Sequence, residues 1–348
     1  MPTGDAARPF LERLDDAARN ALLQVARPVS FRRGACLVRA GAASRGAYVL
    51  REGAAEASVV LPGGEKLTVA KLGAGSVFGE MALIERGTCT ATVTATANVD
   101  GWFVERDDFR ALVAQRDPAA LALQHTLTLI LSAKLRALNA RVLEVPSPED
   151  RPAAKAPDAD PLARAKRLKK APYDLKPFLP LLPFFEDFDE GEIAEVLDAS
   201  QLLELERGRA IFHPGQKTEA VHLVLRGAVE IIAGHARRER RMAVLGPGQL
   251  LGYMSLLEGG AHGSTARVRE QALLLETPRA AFEVLYFGTS PASRKLHRAI
   301  QRSLLASLGQ TNRHLTRLIS LARLRGAEKV GDRLETALGG QIVAAEGG

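Results

Sequence analysis

Hydrophobic positions along the chain follow two periods, and the same order of periods occurs twice. A helical period opens each half. Over Leu11 to Ala26, and again over Glu190 to Ala199, apolar residues stand three and four apart among charged ones. Stretches that alternate apolar with polar follow, which is the period of a half-buried strand. In the first half these are Ala47–Arg51, Ala55–Leu61 and Lys66–Leu72; in the second they are Val221–Leu225, Ala228–Ala233 and Met242–Leu245. Turn signals separate them at Gly41, Arg51-Glu52-Gly53, Pro62-Gly63-Gly64 and Gly73-Ala74-Gly75. Short strands between glycine-rich turns predict a β-sandwich or barrel. Each half ends on a long helical period, from about Pro118 to Val142 and from about Ala292 to Leu324. Their stripes, Leu127, Leu131, Leu135, Leu138 and Val142 in one and Ile300, Leu304, Leu308, Leu315 and Leu318 in the other, need burial. They are expected to pack on their own barrel or against a second copy, so a homodimer through the C-terminal helices is one expectation.

The two halves also align residue by residue. Pro9 to Gly53 matches Pro183 to Gly227 without a gap at an offset of 174 (208 − 34 for the pair Gly34 and Gly208). Gly41 falls on Gly215 and Gly53 on Gly227; Lys71 to Met81 then matches Val244 to Met254 at an offset of 173. A repeat this long marks a duplicated domain rather than a solenoid. The expected plan is one domain over 9–145, a linker over 146–177, a second, degenerate domain over 178–325, and a tail over 326–348. The first half of Pro146 to Pro172 is rich in Pro, Ala and charge and reads as a flexible linker. Its basic run (Arg164, Lys166, Arg167, Lys169, Lys170) reads as solvated, with docking to an acidic partner as the sharper alternative.

Three motifs then carry a resemblance. Phe78-Gly79-Glu80-Met81-Ala82-Leu83-Ile84, Tyr48-Val49-Leu50-Arg51-Glu52-Gly53 and Gly73-Ala74-Gly75 together resemble the cyclic-nucleotide-binding domain family. The resemblance covers Pro9 to about Val142 and Pro183 to about Leu324, in the tandem layout of protein kinase A regulatory subunits. It implies a mainly β fold with flanking helices: two tandem β-barrels of the double-stranded β-helix or jelly-roll type, each followed by a long helix. It also implies a phosphate-binding cassette after Gly79. There, backbone N–H groups of Met81 and Ala82 would face an anion. The Glu80 carboxylate would accept a ribose hydroxyl, and an Arg nine or ten residues on would grip the phosphate.

That Arg is absent. Cys89 and Thr90 stand at the two counts, and Arg86 sits three places early on the loop. The second copy departs further: Gly252 is kept, Tyr253 replaces the Glu, and Met254 and Ser255 follow. Counting forward nine from Tyr253 gives His262, while counting back from Val268 gives Ser264. Tyr253 cannot act as an anionic ribose acceptor, so this copy is expected to be blind to ordinary cyclic nucleotides. Three readings stay open: a cyclic nucleotide (cAMP or cGMP) held by the first copy, an uncharged nucleoside held there, or two vestigial pockets on a protein-binding scaffold.

Composition narrows the rest. The net charge of +7 is spread among 40 acidic residues, so a nucleic-acid partner is not expected. In particular, Arg237-Arg238-Glu239-Arg240-Arg241, read as a basic hairpin tip, lacks interleaved aromatics. Cys36 and Cys89 give neither a disulfide framework nor a zinc cluster; Cys36 is expected in the core and Cys89 as a small buried filler. Of the seven histidines none is spaced as a metal pair, and His262 is expected exposed in its loop. Trp102 is expected in the core. No nucleophile elbow, Walker loop or kinase motif occurs, so no enzyme and no cofactor are expected. A winged helix-turn-helix is not expected in the 24 residues after Leu324. No signal-peptide core or 18-residue apolar span occurs, which predicts a cytoplasmic protein, and the resemblance to the tandem regulatory-subunit layout implies a regulator acting through a protein partner.

Overall fold

A computed structural model of the chain describes residues 9–60, 64, 66–115, 117–152, 161–162, 165–168, 174–175, 177–235 and 238–324. Pro62-Gly63, Arg164, Lys169, Lys170, Arg237 and the 326–348 tail lie outside the described residues. Contacts divide the chain into a first unit, up to Ala133 with the residues from Asn312 on, and a second unit, Lys134–Thr311.

In the first unit the predicted opening helix is divided. Phe10–Arg13 form a 3-10 turn, and Leu14 is extended (φ −89°, ψ 138°). The break lets the Asp15 carboxylate accept from the Ala18 amide (2.7 Å) and start α1, Asp16–Val25. The strands follow as β1 (Arg27–Phe31), β2 (Cys36–Val38), β3 (Gly46–Glu52), β4 (Ala55–Val60), β5 (Lys66–Leu72) and β6 (Val77–Phe78). A short helix α2 (Met81–Ile84), strands β7 (Thr92–Ala95) and β8 (Val99–Glu105), and helices α3 (Arg106–Ala114) and α4 (Pro118–Glu144) complete the copy. Two antiparallel four-stranded sheets result, in the orders β1-β8-β3-β6 and β2-β7-β4-β5. Alternation puts Leu37, Leu50, Ala57, Phe78, Val93 and Val99 between them as the core.

The second unit begins within α4 and repeats the plan with longer ladders. Strands β9 (Arg151–Pro152) and β10 (Lys166–Leu168) precede α5 (Glu190–Asp198), which starts on a capping box between Asp189 and Glu192. Then come β11 (Gln201–Leu205), β12 (Ala210–Phe212), β13 (Ala220–His235), β14 (Arg238–Leu245), β15 (Leu250–Leu251), α6 (Tyr253–Leu257), β16 (Thr265–Pro278), α7 (Arg279–Phe287) and α8 (Pro291–Leu324). The two strands predicted over Val221–Leu225 and Ala228–Ala233 are one element. Register shifts around Arg226 and Ala228 carry the ladder to β16 across Gly227, whose φ is +85°. The eight-stranded sheet runs β10-β11-β16-β13-β14-β9, with β12 on β16 and β15 on β13. The segment read as a linker therefore supplies two short strands, and its Leu162 and Ala165 pack on the core of Leu203, Ile211, Phe212, Val224 and Leu274.

Most of each helix stripe is buried, and Leu138 is half-buried. Leu127, Leu131, Leu135, Val142, Ile300 and Leu304 are each at most 3% exposed, and burying one such side chain contributes about 1.5–3 kcal/mol. Among the described residues no helix is long and apolar enough to cross a membrane.

Candidate functional site

The candidate site of the first unit is built on the elbow from β6 to α2. Gly79 has φ +76°, and a Cβ there would lie 2.8 Å from the Gly46 carbonyl oxygen. Only glycine permits both the left-handed backbone and the close approach. Glu80 follows as the N-cap residue of α2 and is 4% exposed. Of the two amides expected to face a ligand, that of Ala82 is spent inside the turn, donating to Gly79 O at 2.9 Å. The Met81 amide has no backbone acceptor among the described residues.

Two arginines that the sequence did not single out hold this cassette from behind. Arg106, buried at the start of α3, donates from Nε to the Ala82 carbonyl and from a terminal nitrogen to the Ser44 carbonyl. Arg110 donates to the Ile84 carbonyl at 2.7 Å. The signal for Arg106 lay in the repeat. Arg279, 173 residues on, opens α7 and donates to the Thr218 carbonyl.

Backbone bonds decide which residues replace the expected phosphate-gripping Arg. Gly41 N–H bonds Cys89 O and Cys89 N–H bonds Ala42 O, each at 2.8 Å. Gly215 N–H bonds His262 O and His262 N–H bonds Gln216 O, at 2.8 and 2.9 Å. His262 is thus the counterpart of Cys89. Gly34 bonds Ala95 O as Gly208 bonds Val268 O, so Val268 corresponds to Ala95, and the count back that reached Ser264 starts two residues late. Thr90 and Arg86 are exposed, and among the described residues no hydrogen bond or ion pair involves the Arg86 side chain.

The Cys89 thiol is half-buried, and burial raises its pKa against a lowering backbone hydrogen bond, which keeps it protonated. Burial, and then the neighbouring Cys89, also raise the pKa of Tyr48. The Tyr48 ring stacks on Phe78 (centroids 5.0 Å) and meets Phe103 at 4.8 Å. Cys36, expected in the core, is exposed because β2 turns its side chain outward, with Sγ 3.3 Å from the Val38 carbonyl. Trp102 is half-buried with the Arg51 guanidinium 5.9 Å from its ring centroid.

The second unit keeps the elbow and changes the chemistry. Gly252 has φ +85° and would meet Ala220 O at 3.0 Å. Tyr253 is buried, its hydroxyl 3.5 Å from Ser303 Oγ on α8, and burial pushes its pKa up to about 12. Ser255 is buried beside it, and Met254 and Ser264 are half-buried. His262 is not the exposed loop residue expected. It is 6% exposed and lies flat on Phe212 (centroids 3.7 Å, 3°), because apolar Phe212 covers one ring face. Burial, and then His222, lower its pKa to about 4. Arg240, expected at a loop tip, is also buried. It donates to Asp150 Oδ1 (2.6 Å) and to the Val142 and Val145 carbonyls (2.7 and 2.6 Å). Among the described residues no group of three His, Cys, Asp or Glu side chains could hold a metal ion.

The family model described as the cyclic nucleotide-binding domain matches residues 28–116 and 202–287. The chain belongs to the cyclic nucleotide-binding domain family. Each matched span carries one elbow and one substituted Arg position, so both copies are cyclic nucleotide-binding domains. Over 94 residues the chain is 35% identical to the cyclic AMP receptor protein of Thermus thermophilus, covering 27% of this chain and 44% of that protein. The chain spans less than half the length of the curated relatives it matches, 34% and 44%. A solved structure of the Toxoplasma gondii protein kinase A regulatory domain with cAMP is 19% identical, covering 85% of this chain and 91% of that one at a TM-score of 0.31. The regulatory subunit of a cAMP-independent protein kinase A from Trypanosoma cruzi, bound to guanosine, is 17% identical, covering 84% and 88% at a TM-score of 0.28. Scores this low say nothing of the ligand here.

Proposed function

We propose that the chain is a non-catalytic regulator whose first cyclic nucleotide-binding domain senses a ribose-bearing ligand and signals its occupancy to a protein partner. The observation that carries this reading is the buried Glu80 carboxylate at a glycine elbow, in a domain of a ligand-sensing family. A carboxylate is the acceptor that a pair of ribose hydroxyls requires. Cys89 at the Arg position removes the bidentate cation, which leaves the Met81 amide for an anion. Two ligands are therefore in contention: a cyclic nucleotide bound weakly, or an uncharged nucleoside that needs no cation. The relative named as a cyclic AMP receptor protein makes cAMP the first compound to try. For the second domain, Tyr253 turned to α8 favours a structural or partner-binding role for its cassette.

The test is calorimetric titration of the full chain with cAMP, cGMP, adenosine and guanosine. Saturable heat from at least one, lost in Glu80→Ala, is the expected result. Heat from none of the four, or heat indifferent to Glu80→Ala, rejects the first domain as sensor and leaves the scaffold reading. Recovery of a stoichiometric partner from native extract supports the signalling half, and recovery of the chain alone counts against it.

A further inference from the structure

A cavity of about 420 Å³ opens on the side of the second domain, lined by the inter-copy segment at Leu162 as well as by β11, β12, β13 and β16. Of the cassette positions only His262 is among its lining residues; Tyr253, Met254 and Ser255 are not. Its wall differs in kind from the same place in the first domain. There, Tyr48, Phe78 and Phe103 form an aromatic cluster. At the corresponding positions, offset by 174, 173 and 173, stand His222, Leu251 and Glu276.

The exchange buries a hydrogen-bonded chain. Glu276 accepts from the Gln201 amide nitrogen and from His222 Nε2 (3.1 Å). Glu276 is 5% exposed and His222 3%. Because Nε2 faces a carboxylate it carries the hydrogen, and in the uncharged ring Nδ1 then bears a lone pair. That Nδ1 is buried and has no partner among the described residues. An unmet buried acceptor is costly, and it defines what would satisfy it: an N–H or O–H from a molecule in the cavity. The rest of the lining holds the buried Phe212 and His262 rings, and its charged members Arg167, Lys217 and Glu219 are exposed, the last two paired with each other at 3.4 Å. His262 lies flat on Phe212 and stays neutral near pH 7. Glu276 disfavours an anion, and its carboxylate already accepts from His222 and Gln201 near the Arg167 charge, which leaves no need for a cation.

We propose that this side cavity is a second ligand site, sharing only His262 with the cassette, for an uncharged planar N-heterocycle that donates an N–H to His222 Nδ1 and lies against the Phe212 and His262 rings. The volume falls in the range of small-molecule sites and leaves room for a substituent on the ring.

The test reads the second domain directly. The full chain, with ring-15N-labelled histidine, is titrated by NMR with adenine and uracil, and with pyridine as a planar ring that lacks an N–H. Saturable shifts of the His222 and His262 ring nitrogens with adenine or uracil, and not with pyridine, are expected. His222→Phe should weaken binding by about three- to tenfold, the loss of one neutral hydrogen bond. Leu162→Trp, a half-buried position at the mouth, should abolish it and decides the matter if His222→Phe does not fold. No saturable shift at millimolar base, equal response to pyridine, or binding unchanged in both variants overturns the proposal. Binding lost in Glu80→Ala but kept in both variants would assign the heterocycle to the first domain and also overturns it.

Discussion

Gly79→Ala should destabilise the first domain more than Gly34→Ala does, and the difference measures the close approach at the elbow. Both glycines have left-handed backbones, φ +76° and +87°. An L-residue there costs about 1–2 kcal/mol, partly offset by the stiffer unfolded chain. At Gly34 a new Cβ meets nothing within 4 Å, so only this conformational cost applies. At Gly79 the Cβ would lie 2.8 Å from the Gly46 carbonyl oxygen, a backbone atom in β3 that cannot swing away. Overpacking of this kind adds about 1–3 kcal/mol. The expected costs are therefore about 1 kcal/mol for Gly34→Ala and about 2–4 kcal/mol for Gly79→Ala. Trp102 is the only tryptophan in the chain and lies in β8, so urea unfolding followed by its fluorescence reports the first domain selectively. Equal midpoint shifts for the two variants would refute the close approach as the reason for Gly79.

Four further outcomes are expected. Cys89→Arg puts a guanidinium back at the family position; one or two charge-assisted bonds are worth about 2–5 kcal/mol, so cAMP affinity by calorimetry should rise on the order of 30- to 3,000-fold, and no gain would remove Cys89 from the phosphate position. Arg240→Leu leaves the Asp150 carboxylate and two carbonyls unpaired, and should cost the second domain about 3–5 kcal/mol in urea unfolding. Burial raises the Asp150 pKa, but the Ser147 amide and Arg240 outweigh it and hold the carboxyl low, so its contribution is present above about pH 4 and lost as pH falls through the lower folded value, a dependence that Asp150→Asn should abolish. His262 acts in the same direction in a higher window: with its folded pKa near 4 and its unfolded value near 6.5, the unfolded chain binds the extra proton between them, so stability rises with pH across that window and His262→Phe should flatten the rise.

The duplication, several strand segments and both long helices were legible because glycine turns and apolar periods are local signals. Lys66–Leu72 was placed to the residue. The opening helix was not, since nothing in Leu11 to Ala26 announces that Leu14 turns extended to free Asp15 as a cap. At the candidate site, Gly79 and Glu80 came from the resemblance of the Phe78-Gly79-Glu80 run to the family motif, and the left-handed backbone of Gly79 agrees with the turn it implies. His262 was reached by one of two counts, and only the paired backbone bonds of Cys89 and His262 chose between them. Its burial under Phe212 could not be read, because the two rings are 50 residues apart. Arg106 and Arg240 escaped for the same reason. An arginine reads as solvated until the carbonyls that enclose it are known, and those of Val142 and Val145 come nearly 100 positions earlier.

The pairing of β16 has a consequence for how the protein is made. β11, β12 and β13 all bond to β16, and β1 and β3 likewise bond to β8, so in each copy the earliest strands wait for the last one. From Leu205, the end of β11, to Pro278, the end of β16, is about 73 residues (278 − 205). At roughly 5–20 residues per second a ribosome needs about 4–15 s to cover that distance. For that interval β11 and β12 lie on the nascent chain with their edges toward β16 unmatched, a state open to strand addition from a neighbouring copy. Slower translation across 206–278 would lengthen the exposure, and a chaperone that shields strand edges would act most usefully there.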